Sequence, residues 1–194
     1  MSLGLTKTAR SVLLEHLDAT RRVANSSSRL DSTSRRIGDL LGAAQNNAQR
    51  LKDITEAEDE IWLGSTGLES NLIASHVARL EKLFAEIWNT LKEMRTLFAD
   101  IRSEVDDLIA HSSASLDETF SIFPSPYVFR ERLEDTKRLY GDRLAHQEAV
   151  LADLTSYESL DAVVNLWKNS EASFSSLKRW FLVAESVHEL VVTM

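Results

Sequence analysis

The apolar residues between positions 73 and 108 recur at alternating steps of four and three residues along the chain. This seam consists of Ile73, Val77, Leu80, Phe84, Ile87, Leu91, Met94, Phe98, Ile101, Val105 and Leu108. Five uninterrupted heptads of this kind are typical of a helix that packs along another helix. Because a 3.5-residue period drifts around a helix of 3.6 residues per turn, the seam predicts left-handed supercoiling. Leu83, Trp88 and Leu97 widen the apolar face, which predicts a bundle of three or four helices.

The ends of this helix are marked by local signals. Thr66-Gly-Leu-Glu69 has the spacing of a capping box, and the pattern breaks after Ala110 in the sequence AHSSAS. A helix from about Thr66 to His111 would be roughly 65 to 70 Å long at 1.5 Å per residue. A compact chain of this length has a diameter of about 40 Å. We therefore expect an elongated molecule.

The first segment, from about Leu5 to Leu63, also repeats every seven residues but has a weaker seam. Half of the positions in its second apolar row are small or polar, among them Ser26, Thr33 and Asn47. Such residues either fix the register of a heteromeric bundle or mark a looser, solvated stretch. The sequence LGSTG at 63–67 is the first clear break, so we expect residues 1–114 to form a long antiparallel helical hairpin.

Residues 115–194 are expected to form a second helical pair. Ser115-Leu-Asp-Glu118 is a capping box that opens a short helix to about Phe123, and the two prolines near 123–126 form a linker. A helix from about Pro126 to Leu154 follows, and a further capping box begins at Thr155 and ends at Glu158. The heptad from Leu160 to Val191 then predicts one last helix. The fold class is all-α, an elongated antiparallel bundle or coiled coil of long helices.

The last helix is apolar over most of its circumference beyond residue 176, so several of its sides need cover. This cover is either the core of the chain itself or a protein partner, because exposed apolar patches of this size mark interfaces. The polar-seamed first helix is the second candidate contact surface. The candidate interface residues are Trp167, Phe174, Leu177, Trp180, Phe181, Val187, Leu190 and Val191 in the last helix, and Val23, Leu30, Ile37 and Leu51 in the first.

Composition and charge narrow the classes of function. The chain has no Cys, which excludes disulfides and thiol catalysis, and its net charge of −8 argues against nucleic acid as a partner. Residues 1–55 carry nine basic and five acidic side chains, a net of +4, whereas residues 56–194 carry a net of −12. The first helix either lies against its own acidic neighbours or docks on an acidic partner or membrane surface. With no secretory signal and no long apolar run, we expect an intracellular protein, in the cytoplasm or nucleus.

No motif indicates catalysis. The chain contains no glycine-rich phosphate loop, no nucleophile elbow and no dinucleotide fingerprint, so we expect no enzyme activity, no cofactor and no small-molecule substrate. Glu185 and His188 have the Glu-x-x-His spacing of carboxylate-bridged metal bundles, but none of the other four histidines has a Glu three residues before it. We therefore expect no metal site and read His188 as structural.

The preferred hypothesis is a non-catalytic interaction protein, a helical coiled-coil subunit of a larger hetero-oligomeric assembly. Its partners would be other helical subunits, as in tethering, kinetochore or cytoskeletal complexes, with membrane contact indirect at most. The alternatives are a metal- or ligand-binding four-helix bundle around Glu185 and His188, and a helical module that lies on a membrane surface.

Overall fold

The structure is a computed structural model that describes residues 7–58, 66–111, 124–154, 156, 159–170 and 174–193. Within these residues the backbone forms five helices and no strand. The helices are α1 (Lys7–Glu58), α2 (Thr66–His111), α3 (Pro126–Ala152), α4 (Leu160–Asn169) and α5 (Ser175–Thr193). The predicted all-α helical bundle is therefore confirmed, and its predicted elongation stays a prediction.

The predicted bounds of the first three helices agree closely with the structure. Helix α2 begins at Thr66 and ends at His111, as its seam and end signals predict. Helices α1 and α3 fall inside the predicted ranges. The predicted short helix from Ser115 to Phe123 and the side chains of the three predicted capping boxes lie outside the described residues, apart from Ser156 of the third box.

The prediction of one continuous last helix is wrong, because α4 ends at Asn169 and α5 begins at Ser175. The heptad gives no sign of this break, because Ser170 and Phe174 occupy seam positions and are buried like the seam residues Trp167 and Leu177 on either side. Ser170 ends α4: its backbone N–H donates to the carbonyls of Leu166 and Trp167, and its hydroxyl also donates to Trp167. Serine hydroxyls that bond the nearby backbone in this way favour helix ends over helix interiors.

The chain divides into two compact units, each of which takes segments from both sides of residue 114. Unit 1 contains residues 1–31, 95–144 and 172–194, and unit 2 contains residues 32–94 and 145–171. Helices α1, α2 and α3 each contribute to both units, whereas α4 belongs to unit 2 and α5 to unit 1.

In unit 1, α3 runs parallel to α1, while α5 runs antiparallel to it. His16 of α1 lies against Phe129 and the later Asp31 contacts Arg143, so residue numbers rise together along α1 and α3. Along α5 the residue numbers fall as those of α1 rise. Arg10 donates to the Val191 carbonyl, whereas the later Asp31 pairs with the earlier Lys178. The core is lined by buried side chains from all four helical segments, including Leu13, Leu17, Leu30, Ile101, Val105, Phe129, Leu133, Tyr140 and Leu177.

In unit 2, α4 runs antiparallel to α1. Gln45 of α1 bonds to Asp161, near the start of α4, whereas the earlier Gly38 lies against Trp167 near its end. Seam residues of α2 fill the core together with side chains from the other segments. These buried residues are Ile37, Leu41, Ala44, Leu80, Ile87, Leu91, Met94, Val150, Leu151, Val163 and Trp167.

Polar side chains tie the helices together inside both units. In unit 1, Arg143 Nη1 donates to Asp31 Oδ1 at 2.7 Å, and both side chains are buried. Lys178 Nζ lies 2.8 Å from the other carboxylate oxygen, so Asp31 of α1 joins α3 and α5. In unit 2, Asn47 Nδ2 donates to the His76 carbonyl at 2.8 Å, and Asn47 is buried. This burial favours the register role for the polar seam position Asn47 over a loose, solvated stretch.

Replacing Asp31 by Ala is expected to lower the free energy of unfolding by about 3–5 kcal/mol, because it breaks a buried ion pair by removing the carboxylate that faces the Arg143 guanidinium. Urea denaturation measures this change. The double variant Asp31→Leu, Arg143→Met should lose less than Asp31→Ala, since it buries no unpaired charge. Asp106→Ala is the control, because its ion pair with Lys137 is solvent-exposed and such pairs contribute only about 0–1 kcal/mol. Equal losses for Asp31→Ala and Asp106→Ala would contradict the role assigned to Asp31.

Two glycines one turn apart in α1 give a matched test of helix packing. A Cβ atom at Gly42 would meet no atom within 4 Å, so Gly42→Ala should raise the free energy of unfolding by about 0.5–1 kcal/mol through helix propensity. A Cβ atom at Gly38 would lie 3.3 Å from Trp167 Nε1, and this indole is too tightly buried to move aside. Gly38→Ala should therefore gain less stability than Gly42→Ala or lose some. Thermal unfolding followed by circular dichroism separates the two, and equal gains would show that α4 packs loosely on α1.

Candidate interaction surfaces

Most of the predicted interface residues belong to the chain's own core. Eight of the twelve are buried, three are partly buried and one, Leu190, is largely exposed. The buried ones are Trp167, Phe174, Leu177, Val191, Val23, Leu30, Ile37 and Leu51, and the partly buried ones are Trp180, Phe181 and Val187. Trp180 and Val187 pack against the cluster formed by Leu13, Leu17 and Phe129, among others. A partner would reach the buried side chains only by opening the bundle, so partner binding at the surface has to use other positions.

The outward face of α5 in unit 1 keeps large apolar side chains in solvent. Leu182 is 65 % exposed and Val183 is 55 % exposed, and Leu190 follows two turns later. The opposite face of the helix supplies Leu177, Ala184 and Val191 to the core. The sequence predicts that α5 is apolar on most of its sides, and the chain itself buries only the side that faces the core of unit 1.

A second apolar surface is a groove in unit 2 between α1 and α2. It has a volume of about 630 Å³ and is lined by residues of α1, α2 and the start of α4: Gln45, Ala48, Gln49, Leu51, Lys52, Thr55, Ile73, Val77, Leu160 and Asp161. Gln45 Nε2 donates to Asp161 Oδ1 at 2.6 Å across the end where α4 begins. The first two residues of α4, Leu160 and Asp161, line one part of the groove.

The groove continues into an apolar strip along one side of α2. Ile73, Val77, Phe84 and Trp88 follow at spacings of four, seven and four residues, which places them on one flank of the helix. Val77 and Trp88 are 40 % and 43 % exposed, whereas the neighbouring seam residue Ile87 is fully buried. We call these four residues the α2 strip. The sequence marks Trp88 as lying off the seam, whereas the exposure of the seam residue Val77 is seen only in the structure.

The surroundings of Glu185 and His188 differ from those that the metal-binding alternative requires. His188 Nε2 lies 2.9 Å from Asp18 Oδ1 of α1, while Glu185 is exposed. Across the part of the chain that the structure describes, no group of three or more His, Cys, Asp or Glu side chains is placed to hold a metal ion. His188 therefore serves as an interhelical contact in unit 1.

His16 is a buried titratable group in the core of unit 1. Its Nδ1 lies 2.8 Å from the Val12 carbonyl, so Nδ1 carries the proton that is donated there. The Nε2 atom is buried and has no hydrogen-bond partner, and the same holds for Nε and Nη2 of Arg130. Burial lowers the pKa of His16 and is the largest effect. The hydrogen bond to the Val12 carbonyl partly opposes it, the positive charge of Arg130 lowers the pKa by a smaller amount, and Glu15 raises it least. The imidazole is therefore held neutral at pH 7.

Comparison with known proteins identifies no relative. No protein-family model, no curated protein and no solved structure matches the chain. None of the described helices has a stretch whose length and hydropathy would suffice to cross a bilayer.

Acidification is expected to destabilise the protein through His16. In the unfolded chain the imidazole takes up a proton near its ordinary pKa of about 6.5, whereas the folded state holds this pKa lower. As the pH falls below about 6.5, the unfolded state binds more protons than the folded state, so the free energy of unfolding decreases. In urea denaturation at pH 7.5 and at pH 5.5, His16→Asn should lose less stability on acidification than the parent chain. His146→Asn, at an exposed position, is the control and should lose as much stability on acidification as the parent chain. An equal loss for His16→Asn would show that His16 is not the group responsible.

Proposed function

We propose that this protein is a non-catalytic helical subunit of a hetero-oligomeric assembly, and that it binds an amphipathic helix of another subunit on the groove and α2 strip of unit 2. The observation that carries the proposal is the α2 strip itself. The seam residue Val77 and the neighbouring Trp88 stay exposed although the seam residues Leu80 and Ile87 are buried, and a helix face of this kind normally packs on another helix.

The occupant is inferred from the shape and chemistry of the surface. Two helices packed side by side leave a shallow, elongated depression between them, which fits a third helix with apolar side chains at i, i+3, i+4 and i+7. Leu51 and Leu160 provide an apolar floor, and Lys52 and Asp161 lie at the rim with opposite charges. A half-exposed Trp such as Trp88 is a typical anchor, because aromatic side chains carry much of the binding free energy of interfaces.

The polar groups inside the bundle support a structural role. Asp31, Arg143 and Lys178 are engaged with one another, and Asn47 is engaged with His76. The pKa of Tyr140 is raised by burial and by the nearby Asp31 carboxylate, which keeps its hydroxyl protonated and unreactive. The proposal therefore assigns these side chains to the alignment of helices, and it assigns binding to the apolar flanks.

The class of assembly follows the expectation from the sequence. A helical subunit that offers an apolar groove to other helices suits a tethering, kinetochore or cytoskeletal complex in the cytoplasm or nucleus. The net charge of −12 on residues 56–194, which include all of α2, favours a partner helix with basic residues beside its apolar face.

The double variant Val77→Glu, Trp88→Glu is expected to abolish partner binding, because two charges replace the apolar centre of the strip. Affinity capture from the source cells with the full chain, followed by quantitative mass spectrometry, compares the bound proteins. The proposal expects at least one coiled-coil protein that the parent chain retains and the double variant loses by tenfold or more, equivalent to about 1.4 kcal/mol.

The matched control is Leu182→Glu, which places a charge on an equally exposed apolar position of unit 1. It should retain the same partner, and circular dichroism should show parental helicity for both variants. Equal capture by the parent chain and the double variant, or equal loss with the control, would overturn the assignment of the groove and strip.

A further inference from the structure

The outward face of α5 combines uncovered apolar side chains with a particular order of charges. Leu182, Ser186 and Leu190 follow at intervals of four residues and lie on one side of the helix, with Val183 beside them. Leu182, Val183 and Leu190 are between 48 % and 65 % exposed. Three large apolar side chains clustered on one exposed face exceed the single scattered residues that normal surfaces carry.

The charged residues on this face have opposite signs at its two ends. Arg179 precedes Leu182 by three residues and Val183 by four, so it lies at the N-terminal end of the apolar face. Glu189 lies beside Leu190 at the C-terminal end. Both side chains are exposed. The exposed Glu185 follows Leu182 by three residues and precedes Glu189 by four, so it lies on the same flank as Glu189. The face is therefore basic at its N-terminal end, and acidic at its C-terminal end and along one flank.

We propose that this face binds a second copy of the same chain, with the two α5 helices antiparallel around a two-fold axis near Ser186. The charge order supports this orientation. In a parallel pair, Arg179 would meet Arg179 of the second copy and Glu189 would meet Glu189, so like charges would repel. In the antiparallel pair, the basic end of each helix meets the acidic end of the other, as a self-complementary two-fold contact requires.

The register of the contact follows from the spacing of the residues. Leu182 and Leu190 are each four residues from Ser186, so Leu182 of one copy meets Leu190 of the other. The small side chain of Ser186 allows the helices to approach closely at the axis. Arg179 then lies about 6 Å along the axis from Glu189 of the second copy, which is within the reach of an arginine side chain. Exposed ion pairs contribute only about 0–1 kcal/mol, so the apolar contact provides the affinity and the charges select the orientation.

This inference is independent of the proposed function. All of its residues belong to unit 1, whereas the groove and the α2 strip belong to unit 2. Self-association and binding of a helical partner can therefore be tested separately, and the failure of one leaves the other unaffected.

Charge reversal on the full chain tests the contact. Sedimentation equilibrium over a roughly hundredfold range of concentrations should show a reversible monomer–dimer equilibrium for the parent chain. Arg179→Glu and Glu189→Arg should each weaken the dimer about tenfold, since each turns two attractive pairs into repulsive ones. The double variant Arg179→Glu, Glu189→Arg should restore parental affinity, because every pair is formed again with its signs exchanged.

Two substitutions of exposed leucines test the apolar part of the contact. Leu182→Glu should abolish the dimer, whereas Leu166→Glu, at an exposed leucine of α4 in unit 2, should leave it unchanged. Three outcomes would overturn the proposal. The parent chain could stay monomeric at every concentration, or the dimer could persist in Leu182→Glu. The third is a dimer affinity of the Arg179→Glu, Glu189→Arg double variant that is no higher than that of either single variant. Circular dichroism on each variant shows whether the fold is intact, and these exposed positions make no contribution to the buried core.

Discussion

The buried carboxylate of Asp31 is the contact on which the arrangement of unit 1 depends. It accepts a hydrogen bond from Arg143 of α3 and pairs with Lys178 of α5, so one side chain of α1 positions two other helices. An apolar seam that repeats every seven residues still buries similar side chains after a slide by one heptad. The ion pair permits no such slide, because an unpaired buried charge costs several kcal/mol. Apolar burial thus stabilises the unit, and Asp31 selects its register.

In unit 2, hydrogen bonds and close packing set the register of the helices. Asn47 bonds to His76 of α2, and Gln147 of α3 donates to Ser34 of α1 at 2.8 Å. Gly38 lets the Trp167 indole lie against the backbone of α1. Asn47, one of the polar positions that weaken the first seam in sequence, is therefore a buried contact that aligns α1 with α2.

The same packing leaves apolar flanks of the helices exposed. Four helical segments bury the seams they share, but the widened faces around Trp88 and Leu182 extend beyond what those neighbours cover. Exposed apolar area of this kind promotes association of the chain with itself or with others. Each flank lies on a helix that its own unit packs in place, so binding of the proposed partners would not require a segment to become ordered. Stability and the proposed binding therefore use different faces of the same helices.

The sequence by itself determined the all-α class, the bounds of α1, α2 and α3, and the identity of the seam, because heptad spacing and helix-ending residues are local properties. It also marked Trp88 as lying off the seam. Only the tertiary structure decided that most predicted interface residues are core, that α4 and α5 are separate helices, and that Val77 and Leu182 stay uncovered. It also decided the pairing of Asp31 with Arg143, 112 residues away in the chain. Contacts between residues so far apart in the chain depend on which helices pack against each other. The seven-residue period of a helix does not specify this, because the period is the same for any neighbouring helix.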